Sequence, residues 1–195
     1  QDFQLHWCHA KDILNVLARL KAVGLTTSGA CGDIMRNIVG CPVAGVDRDE
    51  ILDATPVVRQ LDAYFTDNRD FSNLPRKYKI CITGCRSWCP HPEIDCVGLV
   101  GAERQVNGRR EVGFDVMVGG GLSTQPFFAQ RINAFITPEQ ALPVVTKITE
   151  IYRDTLEYRE KRHRSRLKYL MHDWGAEKFR AALEAKLGTP LDPSP

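Results

Sequence analysis

Lys77 and Lys79 stand two residues apart at the start of Lys79-Ile80-Cys81-Ile82-Thr83, a run with the composition of a strand. Residues i and i+2 of a strand point to one face. Two ammonium groups sharing a face repel each other unless an anion lies between them. They follow Leu74-Pro75-Arg76, so the basic residues are dense here. Arg36, in a separate glycine-containing segment, offers a third cation. Cys85-Arg86-Ser87-Trp88-Cys89 is a C-x3-C pair behind a Thr83-Gly84 turn, and Cys41-Pro42 lies well upstream. Thiolates spaced in this way can hold an iron–sulfur cluster. Three cations on a small anion, beside cysteines able to hold iron, point to reductive chemistry on an oxyanion.

Each feature has a plainer counterpart. Lysines on a strand often form a solvated face, and free cysteines are often small buried hydrophobes. Cys41, Cys85 and Cys89 make three ligands, with Cys31 and Cys81 as the remaining candidates for a fourth. A second basic run covers Arg159, Lys161, Arg162, Arg164, Arg166 and Lys168, opposed only by Glu160. With Arg162 and Arg166 at i, i+4 on a helix, it suits a ligand bearing several carboxylates or phosphates. It also suits RNA, although no stacking aromatics on a basic sheet accompany it. Gly119-Gly120-Gly121-Leu122-Ser123 lacks the dinucleotide and P-loop spacings, which excludes both. Its glycines still allow close approach to a flat ligand. His91 and His172 have no partner at metal spacing, and no Ser-His-Asp arrangement is visible.

These residues must be held by a core, and 195 residues with 43% apolar content can bury one. The net charge of +2 gives no global field that favours nucleic acid or membrane. No apolar run approaches the length of a membrane span, and no signal peptide is read. Seven cysteines without a disulfide-scaffold pattern fit a reduced, cytoplasmic protein.

Alternation of Phe3, Leu5 and Trp7 with polar residues predicts a strand over 1–7. A helix is expected over 13–23 with Gly24 closing it, then a loop, then a short helix capped by Asp33 through Val39. Thr55-Pro56 begins a helix that runs to about Phe65. Strands are expected near 77–83, 95–100 and 112–118. The polar stretch 103–110 separates the last two, with Asn107-Gly108 as a hairpin turn. Thr137-Pro138 begins a helix reaching about Tyr158, and further helices cover 162–172 and 176–187, closed by Gly188. The fold class is therefore α+β, a central, mostly antiparallel sheet flanked by helices.

Several segments together resemble the siroheme-dependent assimilatory sulfite and nitrite reductases. They are Phe3-Gln4-Leu5-His6, Met35-Arg36-Asn37 through Cys41-Pro42-Val43-Ala44-Gly45, Leu74 to Lys79, Val118 to Ser123, and Lys168-Tyr169 to Trp174-Gly175. The resemblance implies one of two pseudo-symmetric halves, with siroheme between them, bridged to a 4Fe-4S cluster. It implies six-electron reduction of sulfite to sulfide or nitrite to ammonia, with ferredoxin or a flavoprotein reductase as electron donor. Residues 1–188 would be the siroheme- and substrate-binding half, lacking its first strands. Residues 189–195 would be a linker to the second half. Arg36, Lys77 and Lys79 match the substrate-binding cations. Gln4, His6 and Asn37 match siroheme contacts, Gly119, Gly120 and Gly121 a loop near the macrocycle, and Arg166 a partner of its carboxylates. Nitrite enzymes of the family tend to carry Asn where this chain has Lys79, so the resemblance favours sulfite.

The cluster-binding half of the family carries C-x5-C-P followed by C-x3-C. Here Cys41-Pro42, Cys85 and Cys89 match, but Met35 occupies the first position. The resemblance thus implies that the second half holds the working cluster. Other readings are nitrite reduction, a stand-alone iron–sulfur electron carrier on Cys41, Cys85 and Cys89, and a basic RNA-binding module.

Overall fold

The computed structural model describes residues 3–195. Its centre is one sheet of five strands: β1 (Met35–Val39), β2 (Tyr78–Thr83), β3 (Val97–Val106), β4 (Arg109–Val118) and β5 (Gln130–Ile136). They lie side by side in that order. β1 with β2 and β2 with β3 pair in parallel, whereas β3 with β4 and β4 with β5 pair antiparallel. The helices are α1 (Ile13–Ala22), α2 (Thr55–Phe65), α3 (Ala141–Asp154), α4 (Glu157–Glu160) and α5 (Leu167–Leu187). The expected α+β class holds, but the sheet is mixed rather than mostly antiparallel: two of its four pairings are parallel, both on one side. Among the described residues no helix is long and apolar enough to cross a membrane.

Alternation in β2 decides which face is which. Tyr78, Ile80 and Ile82 are buried in the main core with Val144, Val145 and Ile148 of α3 and Leu170, Phe179 and Leu183 of α5. Each such side chain contributes roughly 1.5–3 kcal/mol on burial. The Tyr78 ring stacks on Tyr152 with centroids 5.5 Å apart. Lys79, Cys81 and Thr83 therefore take the opposite face.

Strand register then collects one end of the sheet. Met35 pairs with Tyr78, Ile80 with Val97, and Val97 with Val118. The parallel strands β1, β2 and β3 begin where the antiparallel β4 ends. Arg36, Lys77, Lys79, Asp95 and residues 119–121 are brought to this end by pairing alone. The segment 84–96 returns across the face opposite the helices, and the Cys81 thiol donates to Pro90 O at 3.3 Å.

Several expectations need correction. Gln1 and Asp2 of the expected first strand lie outside the described residues. Residues 3–7 form no strand, and Phe3 and Trp7 are more than nine-tenths exposed. Alternation produces a strand only where a sheet edge pairs with it, and none adjoins this segment. Residues 35–39 are strand rather than helix. Asp33 caps nothing there, and instead pairs with Arg76 at 3.1 Å and Arg162 at 2.5 Å. The edge of β2 supplies ladder bonds that a short isolated helix lacks. The N-cap of α2 is Ala54, not Thr55, and no side chain caps the helix from there; Asp53 Oδ1, one residue earlier, accepts from Thr55 N at 2.9 Å.

The polar stretch 103–110 belongs to β3 and β4, which continue to a two-residue turn at Asn107 (φ 51°) and Gly108 (φ 75°). Cross-strand pairing of Arg104 with Glu111 at 2.5 Å supports the exposed end. The expected long helix stops at Asp154. The basic run forms no single helical face: Arg162–Arg164 is a 3-10 turn and α5 starts at Leu167 with Arg166 at its N-cap. Like charges at helical spacing repel, and each arginine finds its own partner. Arg159 bonds Asn73, Arg162 pairs with Asp33, and Arg164 with Asp173. Gly175 (φ 75°) divides α5 where two helices were expected. The tail 189–195 packs on the sheet: Leu191 is buried and Phe135 N donates to Asp192 O at 2.8 Å.

Candidate functional site

A single hydroxyl fixes both sides of the cation site. Tyr152 Oη, rooted in α3, is 3.1 Å from Arg76 O and 2.8 Å from Ser165 O. The next residues in sequence are Lys77 and Arg166. These two join Lys79, Pro90, His91, Ile94, Asp95, Leu122 and Ser123 around an open cleft of about 430 Å³. Burial, then the neighbouring charges of Arg166, Lys79, Arg36 and Arg76, hold the Lys77 ammonium below the ordinary lysine pKa. Among the described residues no ion pair holds Lys77. Such crowding of cations is costly unless an anion occupies the cleft.

Arg36, on β1, lines a neighbouring groove with Ser28, Gly29 and Phe65 rather than this cleft, although its charge reaches Lys77. Its guanidinium donates to Ala30 O at 2.6 Å and Gly32 O at 3.1 Å. Arg166 donates through Nη2 to the buried Cys96 thiol at 3.5 Å. The Nε atoms of Arg36 and Arg166 are both buried and lack a hydrogen-bond partner among the described residues. Buried unsatisfied donors signal a missing acceptor. Asp95 is only 4% exposed. Burial raises its pKa, while Lys79 and Arg166 act in the opposite direction. Asp95 was missed in the sequence, where an isolated acid before a strand carries no signal; register alone brings it here.

The glycines are packed against this site. A Cβ on Gly120 would come within 2.5 Å of Glu93 O and 2.6 Å of Asp95 O. One on Gly121 would meet Arg166 Nη2 at 3.0 Å and Lys168 Cδ at 3.1 Å. Gly119 (φ 89°) adopts a backbone form unfavourable to other residues and abuts Met171. The orphaned guanidinium atoms, the lysine pair and the glycine wall fit a polyanionic macrocycle such as siroheme together with a small anion.

Gln4 and His6 lie elsewhere. Both are exposed in the irregular N-terminal segment and line no part of the cleft. Asn37 is exposed and shares a separate groove with Phe3, Leu5, Leu20 and Leu25. Burial, and to a lesser degree the charges of Cys85 and Cys89, raises the Cys41 pKa, so these thiols lie within electrostatic reach of one another. Cys85 is buried and Cys89 exposed. Yet among the described residues no group of three metal-ligating side chains has the geometry to hold a metal ion. Of the two candidate fourth ligands, Cys31 is exposed and Cys81 is buried with its thiol donating to Pro90 O. Alone, these thiols do not fit a four-thiolate cluster.

The chain matches the family model "Nitrite and sulphite reductase 4Fe-4S domain" over residues 31–191. It is 40% identical over 188 residues to the assimilatory ferredoxin-dependent nitrite reductase of Haloferax mediterranei, covering 95% of this chain and 32% of that protein. It is 41% identical over 184 residues to sulfite reductase [ferredoxin] 1 of Mycolicibacterium paratuberculosis, covering 94% and 32%. The solved structure of the Mycobacterium tuberculosis NirA protein superimposes with a TM-score of 0.87 at 38% identity, covering 97% of this chain and 34% of that one. Dissimilatory sulfite reductase I, at 13% identity and a TM-score of 0.66, shares the fold; the match covers 95% of this chain and 59% of that one. The chain spans about a third of the length of the curated relatives it matches. By the extent of the family match and the fold it shares, the chain belongs to the nitrite and sulphite reductase 4Fe-4S domain family.

Proposed function

We propose that the natural protein reduces sulfite to sulfide, and that this chain supplies the cations that bind the oxyanion and the contacts that hold siroheme. The observation that supports this reading is the single cleft lined by Lys77, Lys79 and Arg166, with Arg36 close enough to bias the Lys77 proton. Siroheme, when bound, supplies an iron centre through which electrons from a 4Fe-4S cluster reach the anion. That cluster is assigned mainly to a second half of the enzyme, because Cys41, Cys85 and Cys89 lack ligating geometry among the described residues.

Hydrogensulfite takes six electrons and six protons to give hydrosulfide and three waters. Each oxygen therefore leaves with two protons, and the site must both hold negative charge and deliver protons. Lys77 suits delivery: its lowered pKa makes its ammonium the readier acid. Lys79 and Arg36 hold the anion by charge. Arg166, with its buried unpaired Nε, pairs with the macrocycle's carboxylates. Gly120 and Gly121 let the backbone close up beside it.

The same site accommodates nitrite, which takes six electrons and eight protons to ammonium and two waters. Relatives carry both names. The Lys79 charge favours sulfite, which is partly a dianion near neutral pH. A ferredoxin is the proposed donor, in keeping with the names of those relatives. The free thiols agree with a reducing cytoplasm. The test is anaerobic turnover of the natural protein with a reduced dye, measuring sulfide from sulfite and ammonium from nitrite. Sulfide, with a higher kcat/KM for sulfite, is expected. The reverse ratio would shift the substrate to nitrite, and neither product would overturn the reading.

A further inference from the structure

Lys168 is only 2% exposed, yet no carboxylate pairs with it among the described residues. It sits in the first turn of α5, where the helix dipole disfavours a cation. Burial, then the nearby Arg166 charge, lowers its pKa. A buried charge without a counter-ion is among the costlier arrangements in a protein. Among the described residues its compensation comes mainly from oriented dipoles and rings. Nζ donates to Leu122 O at 2.8 Å and to Gln125 O. It also lies 5.0 Å from the Tyr169 ring centroid and 5.7 Å from that of Phe127.

The two carbonyls belong to a loop that little else secures. Residues 122–126 are all exposed. Gly121 and Phe127 close its base with paired backbone bonds of 2.9 and 3.0 Å. Within it Ser123 adopts φ 93°, a strained value for a residue with a Cβ. Leu122 and Ser123 form one wall of the cleft that holds Lys77, Lys79 and Arg166. An exposed, strained loop without an apolar anchor opens locally unless it is fastened.

We propose that Lys168 is a positioning residue: its buried ammonium fastens residues 122–125 as a wall of the anion cleft, without itself touching the anion. This rests on the proposed function for the identity of the ligand, but not for the fastening. Because the lysine acts through the loop, its loss loosens the binding site and leaves the proton donors in place.

The test uses Lys168→Met and Lys168→Arg in the natural protein, with Lys168→Gln as a milder variant should Met not fold. Hydrogen exchange at residues 122–126 and steady-state kinetics with sulfite are both measured. With Met or Gln, exchange in this loop accelerates while α3 is unchanged. KM for the anion rises about ten-fold with kcat altered less than about three-fold. Arg, which keeps the charge and donors, restores KM. Unchanged loop exchange in a folded Met or Gln variant overturns the proposal, as does a fall in kcat at constant KM. If the unaltered protein turns over no sulfite, the functional reading fails, and the exchange measurement still decides the role of Lys168.

Discussion

Lys77 and Lys79 share a cleft but are suited to different tasks. Lys79 points into the cleft from within β2, with Asp95 in its field, and its charge separates the two candidate anions. We expect Lys79→Asn to weaken sulfite binding by roughly 1.5–3 kcal/mol, the worth of a charge-assisted contact. Nitrite binding should suffer less, and equal losses in competition binding would remove the basis for preferring sulfite. Lys77 carries the lowered pKa, from burial and then from Arg166, Lys79, Arg36 and Arg76. Its attraction for an anion is complete while it is protonated and is lost as pH rises through that lowered value. Affinity should therefore begin to fall at a lower pH than the ~10.4 of an ordinary lysine. Lys77→Arg keeps its charge at any such pH, so it should move the decline upward in a pH titration of anion binding. An unmoved decline would exclude Lys77 as its source. Both lysines were legible from spacing alone, because a period of two fixes the face. Arg36 and Arg166 stood out as cations in the sequence, but their nearness to the lysines did not follow from it, since that distance in sequence is closed by strand register and by the Tyr152 hydroxyl.

At the scale of elements, the strongest local signals held. Asn107-Gly108 makes the hairpin turn, and Gly24 closes α1 with Leu25 N bonded to Leu20 O at 2.9 Å and Gly24 N to Lys21 O at 3.1 Å. Signals that depend on a neighbour failed. Residues 3–7 have strand alternation without a described partner strand, and 35–39 read as helix because the edge of β2 was invisible. β5 was missed although Ile132, Ala134 and Ile136 alternate with polar Arg131 and Asn133; Asn133 takes φ 53° where the pairing with β4 shifts register. The glycine run was legible as a close-approach element, but what it approaches is protein as much as ligand. Gly120 is pressed between the carbonyls of Glu93 and Asp95. Gly120→Ala should destabilise the fold by about 1–3 kcal/mol, the usual cost of overpacking, because backbone cannot rotate aside. Denaturant unfolding of that variant with an unchanged midpoint would show that the 93–95 segment yields.

Over the whole molecule, one sheet end does the gathering. Parallel strands start there, an antiparallel strand finishes there, and α5 begins beside them. The chain nonetheless spans about a third of its curated relatives, so the cleft described here is one wall of a larger proposed site. The proposed anion and macrocycle account for the crowding of its cations and for its unsatisfied guanidinium nitrogens. The most direct measurement is the visible absorption spectrum of the natural protein, purified anaerobically and titrated with sulfite, alongside a Lys77→Ala, Lys79→Ala double variant. The expected result is a siroheme spectrum that shifts with sulfite, and a double variant that retains the chromophore while its shift needs a much higher sulfite concentration. A protein that stays colourless after reconstitution with siroheme, or a double variant that responds to sulfite like the unaltered protein, would contradict an anion site built on Lys77 and Lys79.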